Sequence, residues 1–120
     1  MEQPLAILAD LASAAHSRIQ RDFATLDPIV GVSRNMRSSG IPADLMTIDC
    51  LQSGKRIILI LHDEQPGVLS YQFTLREADS AGAFALMPLA ELTAQTLYQW
   101  ISGYFLTHPD HPNPAAGGWA

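Results

Sequence analysis

The chain has 120 residues, of which 48% are hydrophobic and 16% charged, and its formal net charge is −5. This size and composition predict one soluble globular domain without a membrane span, because unbroken apolar stretches such as residues 57–61 are far shorter than the ~20 residues of a spanning helix. Seven basic residues against twelve acidic ones argue against a nucleic-acid partner, which is held by clustered lysine and arginine.

The first predicted element is an amphipathic helix over residues 3–25. At the ~100° per residue of an α-helix its apolar residues share one stripe, with polar and charged residues opposite. Asp27-Pro28 predicts the end of the helix, because the residue before a proline is disfavoured in the α conformation. His16 lies at the edge of the stripe, where we expect a packed imidazole with one hydrogen-bonded nitrogen. The stripe consists of Leu5, Leu8, Ala12, Ala15, Ile19 and Phe23.

A mostly irregular connection is predicted for residues 26–43, where Gly31, residues 34–40 and Pro42 are turn and loop signals. The apolar residues at positions 29, 30 and 32 fit either a short strand or a docked turn. Arg34 and Arg37 form the one locally basic, donor-rich segment of the sequence. Two such guanidinium groups suit a phosphate or carboxylate ligand, although a flexible polar connection explains the same composition.

A three-stranded antiparallel sheet is the clearest prediction, with strands over residues 44–52, 55–63 and 68–77. Ser53-Gly54 suits a tight two-residue hairpin turn, which places Cys50 opposite Ile57. We name the face of the sheet that carries these two residues face A, and the opposite face is face B. On face A we expect Cys50 to be a buried, unreactive thiol.

The third strand alternates apolar with polar residues after the turn signal Pro66-Gly67. Counting residues across this turn places the apolar residues of the third strand on face B, beside Ile58 and Ile60. The central strand is then apolar on both sides. Such a strand needs cover on both faces. Two helices must provide this cover, and we expect a second subunit where they leave the sheet exposed. The apolar set consists of Leu69, Tyr71, Phe73 and Leu75.

Residues 84–87 are a candidate fourth strand, and a second helix follows to about residue 106. The helix begins at Pro88 or, if Thr93 is its N-cap, at Ala94. Its wide apolar face includes Trp100 and Tyr104 and suits burial on two sides. We therefore predict a single α+β domain over residues 1–107, in the order α-β-β-β-α with three or four meander strands. A Pro/Gly-rich extended tail follows over residues 108–120.

Three tail residues, His108, Asp110 and His111, are weak candidate metal ligands. A zinc or nickel site normally draws three or four ligands from a rigid frame, so we predict no metal site there. Asp49 on face B is predicted to pair with Arg56 across the hairpin or to lie in water at a sheet edge. The sequence contains no nucleotide-binding, hydrolase or metalloprotease motif. We predict no cofactor, and the protein is expected to be non-enzymatic, with catalytic activity left open.

The single cysteine excludes an internal disulfide, and residues 1–20 lack the pattern of a signal peptide, so we expect a cytoplasmic protein. Few charges and a sheet that is apolar on both faces favour a protein-interaction module acting as a homodimer. Trp100, Tyr104 and Trp119 are its candidate interface residues. In size, charge and element order such a dimer resembles the secretion-chaperone type, which implies a chaperone- or adaptor-like role. The alternative is a small domain that binds an anionic ligand, or acts on it, through Arg34, Arg37 and His62.

Overall fold

The computed structural model describes residues 4–24, 26–75 and 84–106. Within them the chain forms α1 (Pro4–Asp22), β1 (Ile29–Ser33), α2 (Asn35–Ser38), β2 (Ala43–Cys50), β3 (Lys55–His62), β4 (Val68–Leu75), β5 (Ala85–Pro88), a 3₁₀ turn (Leu89–Glu91) and α3 (Ala94–Phe105). The strands pair antiparallel in chain order as one meander. The predicted α+β class with terminal helices and a meander sheet is confirmed. The predicted count of three or four strands is wrong, because the described residues contain five.

The hairpin between β2 and β3 keeps the predicted faces but not the predicted register. Cys50 lies opposite Lys55 and Ile48 opposite Ile57, so the pairing is shifted by two residues. The turn therefore spans residues 51–54, and its Gly54 has a φ of 73°, a conformation that glycine adopts without steric cost. A shift by two residues leaves every side chain on its face, whereas a shift by one reverses them all.

The turn between β3 and β4 corrects the predicted position of the third apolar set. Tyr71 lies opposite Leu59, and Phe73 lies opposite Ile57, so this set points to face A. The prediction of face B was wrong because the connection, residues 63–67, contains an odd number of residues. With an odd number of residues in the connection, odd-numbered residues of β4 lie opposite odd-numbered residues of β3. Face A thereby becomes apolar on β2, β3 and β4 together, and it carries the core.

Helices α1 and α3 pack against each other and cover face A. Leu8, Ala12, Ala15 and Ile19 of α1 are buried in one cluster with face A and with Leu97, Trp100, Ile101 and Phe105 of α3. Burial of a leucine or isoleucine side chain contributes about 1.5–3 kcal/mol, so this cluster makes a large contribution to the stability of the fold. Helix α3 begins at Ala94 because the Thr93 hydroxyl accepts a hydrogen bond of 3.0 Å from the Thr96 amide, a typical N-cap.

The connection from α1 into β1 is fixed by His16. Its Nε2 lies 2.8 Å from the carbonyl oxygen of Pro28, and because a carbonyl only accepts, Nε2 carries the proton and donates. The expectation of a packed histidine with one bonded nitrogen is confirmed. Of the two interpretations of residues 29–32, the strand is correct. This strand extends the sheet beyond the predicted hairpin on the β2 side, as β5 does beyond β4.

Candidate functional site

A cavity of about 380 Å³ lies where α1 begins, β2 begins and β3 ends. Arg34, Arg37 and His62, the three predicted ligand-binding residues, all contribute to its wall. The sequence separates them by up to 28 positions, and the meander brings them together because α2 packs on β2 while β3 ends beside β2. The described residues that line it are Pro4, Leu5, Arg34, Arg37, Asp44, Leu61, His62, Asp63 and Pro66.

Arg37 is held by two carboxylates that sequence analysis did not connect with it. Its Nε and Nη2 donate to Asp44 at 3.0 and 3.1 Å, and its Nη1 and Nη2 donate to Asp63 at 2.7 and 2.8 Å. Arg34 Nε lies 3.5 Å from Asp44 Oδ1, a longer and weaker contact. The Asp44 side chain is only 9% exposed, so Arg37 compensates a buried charge and fastens α2 to β2 and to the end of β3.

The electrostatics of this cavity are balanced, because Arg34, Arg37, Asp44 and Asp63 carry two positive and two negative charges. The hydrogen bonds with Asp63 and then Asp44 raise the pKa of Arg37, and the bonds from Arg37 lower the pKa of Asp63. Arg37 and Asp63 are therefore both ionised at neutral pH. The pKa shifts therefore make neither Arg37 nor Asp63 a general acid or base near neutrality, and Arg34 is the more accessible cation.

Face B is the second candidate region. The register places Leu45 beside Ile60 and Thr47 beside Ile58, with Ser70 next to Ile60 on β4. Of the described helices, α1 and α3 pack in the core of face A, and α2 is held at the start of β2 by the hydrogen bonds of Arg37 with Asp44, whose side chain lies on face A. Ile58 is only 6% exposed and Ala43 is fully buried, yet neither belongs to that core. The apolar residues of face B are Ile29, Ala43, Leu45, Ile58, Ile60, Val68 and Leu86.

A bidentate ion pair lies at one end of face B. Arg56 Nε donates to Asp49 Oδ1 at 2.7 Å and its Nη2 donates to Oδ2 at 2.9 Å. The two residues are directly opposite on β2 and β3, so the predicted pairing across the hairpin is confirmed. The hydrogen bond with Asp49 raises the pKa of Arg56. Both charges are thereby neutralised within one copy of the chain.

The aromatic interface candidates occupy different positions. Trp100 is 8% exposed and stacks on Tyr71 with ring centroids 4.6 Å apart, so most of its ring is used inside the chain. Tyr104 is half-buried, contacts Phe73 edge-on at 5.2 Å, and donates from its hydroxyl to the carbonyl of Thr74 at 2.9 Å. Trp119 and the tail residues His108, Asp110 and His111 lie outside the described residues. Their predicted roles stay predictions.

No group of three or more metal-ligating side chains occurs within residues 4–24, 26–75 and 84–106. Among the helices of these same ranges, none has the length and apolar composition needed to cross a membrane. Comparison with protein families, with characterised proteins and with solved structures finds no significant match.

Proposed function

We propose that the protein is a non-enzymatic protein-interaction module that acts in the cytoplasm as a homodimer, in an adaptor- or chaperone-like role. Face B is the surface through which the two copies meet. The observation that carries this proposal is the one-sided packing of the described helices, which cover face A and leave the apolar residues of face B without a helix over them. Ile29 and Leu86, on the two edge strands of this face, are 46% and 64% exposed, and exposed apolar residues grouped on one surface are typical of protein interfaces.

The size of face B supports a dimer of moderate affinity. Three strands of eight residues, one of five and one of four project roughly 500 Å² at ~4.8 Å between strands and ~3.3 Å per residue. The projected area of two such faces is roughly 1,000 Å², without the additional area of the protruding side chains. This value is close to the lower limit of the area buried in specific interfaces. A dissociation constant in the micromolar range is expected for an interface of this size.

The charge distribution also supports self-association through this face. The whole chain carries a net charge of −5, so two copies repel each other in most orientations. On face B the ion pair of Asp49 with Arg56 is neutral, and its other described strand residues are uncharged apart from the titratable His62. Contact through face B therefore brings two neutral surfaces together and keeps the acidic surfaces apart.

Sedimentation equilibrium tests the dimer directly. Between about 1 and 200 µM protein, a range set by the expected micromolar affinity, we expect the average mass to rise toward twice the 13.0 kDa of one chain. The rise should persist at high salt, because burial of apolar area is not screened by ions. A mass that stays at that of one chain throughout the range would rule out the homodimer.

A second candidate function, anion binding, is favoured by the presence of Arg34, Arg37 and His62 in one cavity. Arg34 is the residue to test, because its side chain is 61% exposed, whereas replacement of Arg37 would leave buried Asp44 short of its main partner. For an anion site we expect phosphate or citrate to raise the melting temperature of the native chain, as any ligand specific to the folded state does. Arg34→Ala should lose this shift and Arg21→Ala, a matched arginine on α1, should keep it. Equal shifts of the melting temperature in both variants would indicate a non-specific effect of salt and would rule out the anion site.

A further inference from the structure

In the part of the chain that the structure describes, the outer edge of β1 is open. β1 is the first strand of the sheet, and within the described residues no strand pairs with its other side. It contains no charged residue and no proline, and its Ile29 and Val32 are 46% and 50% exposed. Proteins usually protect such edges with charges, prolines or bulges, because an open edge pairs with other chains. At the opposite edge, by contrast, β5 has four residues and ends in Pro88.

A groove of about 330 Å³ runs between this edge and α1. One wall is formed by α1, where three of the four lining residues are small and leave room for side chains of an incoming strand. Val30 and Val32 of β1 form the other wall, and Met46 of β2 contributes from the neighbouring strand. Among the described residues that line the groove there is no aspartate, glutamate, lysine or arginine, so its occupant presents uncharged, apolar groups to it. The α1 wall consists of Ala9, Ala12, Ser13 and His16.

We propose that β1 binds an extended segment of another protein, which adds to the sheet as a further strand and places alternate apolar side chains in the groove. This proposal specifies the kind of partner that the interaction module proposed above would bind, and it rests on that proposed function. In strand addition, main-chain hydrogen bonds supply affinity and pockets for alternate side chains supply specificity. Val30 and Val32 lie two positions apart on the groove side of β1, which matches the spacing of alternate side chains in a paired strand.

Area favours a peptide segment over a second copy of the chain at this edge. Five residues extend ~17 Å, and one added strand covers only ~80 Å² of projected area, far below the ~800 Å² that each partner contributes to a stable protein interface. Charge also restricts the occupant. Asp27 precedes β1 and Arg34 follows it, so an antiparallel segment fits best with an acidic residue before its apolar stretch and a basic residue after it.

Fluorescence anisotropy with a labelled synthetic peptide tests the site. The probe has an N-terminal glutamate, six alternating valine and threonine residues, and a C-terminal lysine. We expect saturable binding to the native chain with a dissociation constant between about 10 µM and 1 mM, as suits one short strand. Two further probes are N-methylated at the valine amides or at the threonine amides. Because successive amides of a strand point to opposite edges, one of these should lose binding and the other should keep it.

Variants of the chain complete the test. Val32→Lys places a charge at the edge, and Ala9→Leu fills the groove; both substitutions alter accessible side chains. Each should weaken binding of the probe at least tenfold. The control, Leu51→Asp, should leave binding unchanged. No saturable binding, or equal binding of both methylated probes, would overturn the proposal. So would loss of the dimer in Val32→Lys, because the edge would then be occupied by a second copy.

Sedimentation and probe binding of the wild-type chain, taken together, distinguish the edge site from the proposed homodimer. If the wild-type chain is monomeric but binds the probe, the dimer is ruled out and the edge site is supported. A dimer that ignores the probe keeps the proposed dimer and overturns the edge site.

Discussion

Trp100→Ala is expected to destabilise the chain by about 3–5 kcal/mol, the range for removal of a buried tryptophan. The indole stacks on Tyr71 at 4.6 Å and meets Phe73 edge-on at 5.4 Å, and it thereby joins α3 to β4. Aromatic pairs of this geometry add about 0.5–1.5 kcal/mol each beyond the burial of their area. Urea denaturation at one fixed protein concentration measures the loss, since dimerisation makes apparent stability depend on concentration.

Trp100→Phe is the matched control for this prediction. A phenyl ring retains the contacts with Tyr71 and Phe73 in part, so the loss should be less than half of that of the alanine variant. If Trp100→Ala changed the free energy of unfolding by less than about 1 kcal/mol, a value typical of exposed positions, the ring could not be part of the core. Trp100 would then return as an interface residue, as the amphipathic pattern of α3 first indicated.

Ile60→Asp is expected to weaken the homodimer at least 100-fold. Ile60 is half-buried near the centre of face B, opposite Leu45 on β2. In a symmetric dimer each copy contributes the same surface, so the substitution introduces two like charges into one interface and removes apolar area from both sides. Sedimentation equilibrium of the variant should give the mass of one chain over the concentrations at which the wild type dimerises.

Leu51→Asp is the control for this second variant. Leu51 is 55% exposed and lies in the turn after β2, beyond the Asp49 end of face B and far along the strand from Leu45, so the same change of chemistry should leave the dimer intact. Circular dichroism of both variants establishes that each remains folded. Equal weakening by the two substitutions would mean that added negative charge, rather than loss of the face B contact, controls association, and the proposed interface would be wrong.

The sequence predicted the elements whose local pattern is strong. The apolar stripe of α1, the N-cap of α3 at Thr93 and the β2–β3 hairpin were all recognisable because each depends on residues close together in the chain. β1 and β5 were recognised only as candidates, since five and four residues are too few for an alternating pattern to distinguish a strand from a turn. They add Ile29 and Leu86 to face B.

The main error concerned a single turn. One residue more or less between β3 and β4 moves every apolar side chain of β4 to the other face, and turn signals such as Pro66-Gly67 do not fix the number of residues in the connection. The predicted ligand residues were nevertheless brought together. Their carboxylate partners were missed because Asp44 and Asp63 become neighbours only when β2 and β3 pair, although acidic residues at the adjacent ends of a hairpin are a signal for such a site.

The central claim is that a second copy covers face B, and isotope-filtered NMR of a mixed dimer tests it most directly. One copy carries ¹³C-labelled isoleucine and leucine methyl groups, and the other is unlabelled. We predict intermolecular NOEs from the methyl groups of Ile60 and Leu86, and none from Ile57 or Leu59, which lie in the core of face A. Intermolecular NOEs confined to β1, or absent from face B in a sample that sediments as a dimer, would contradict the account.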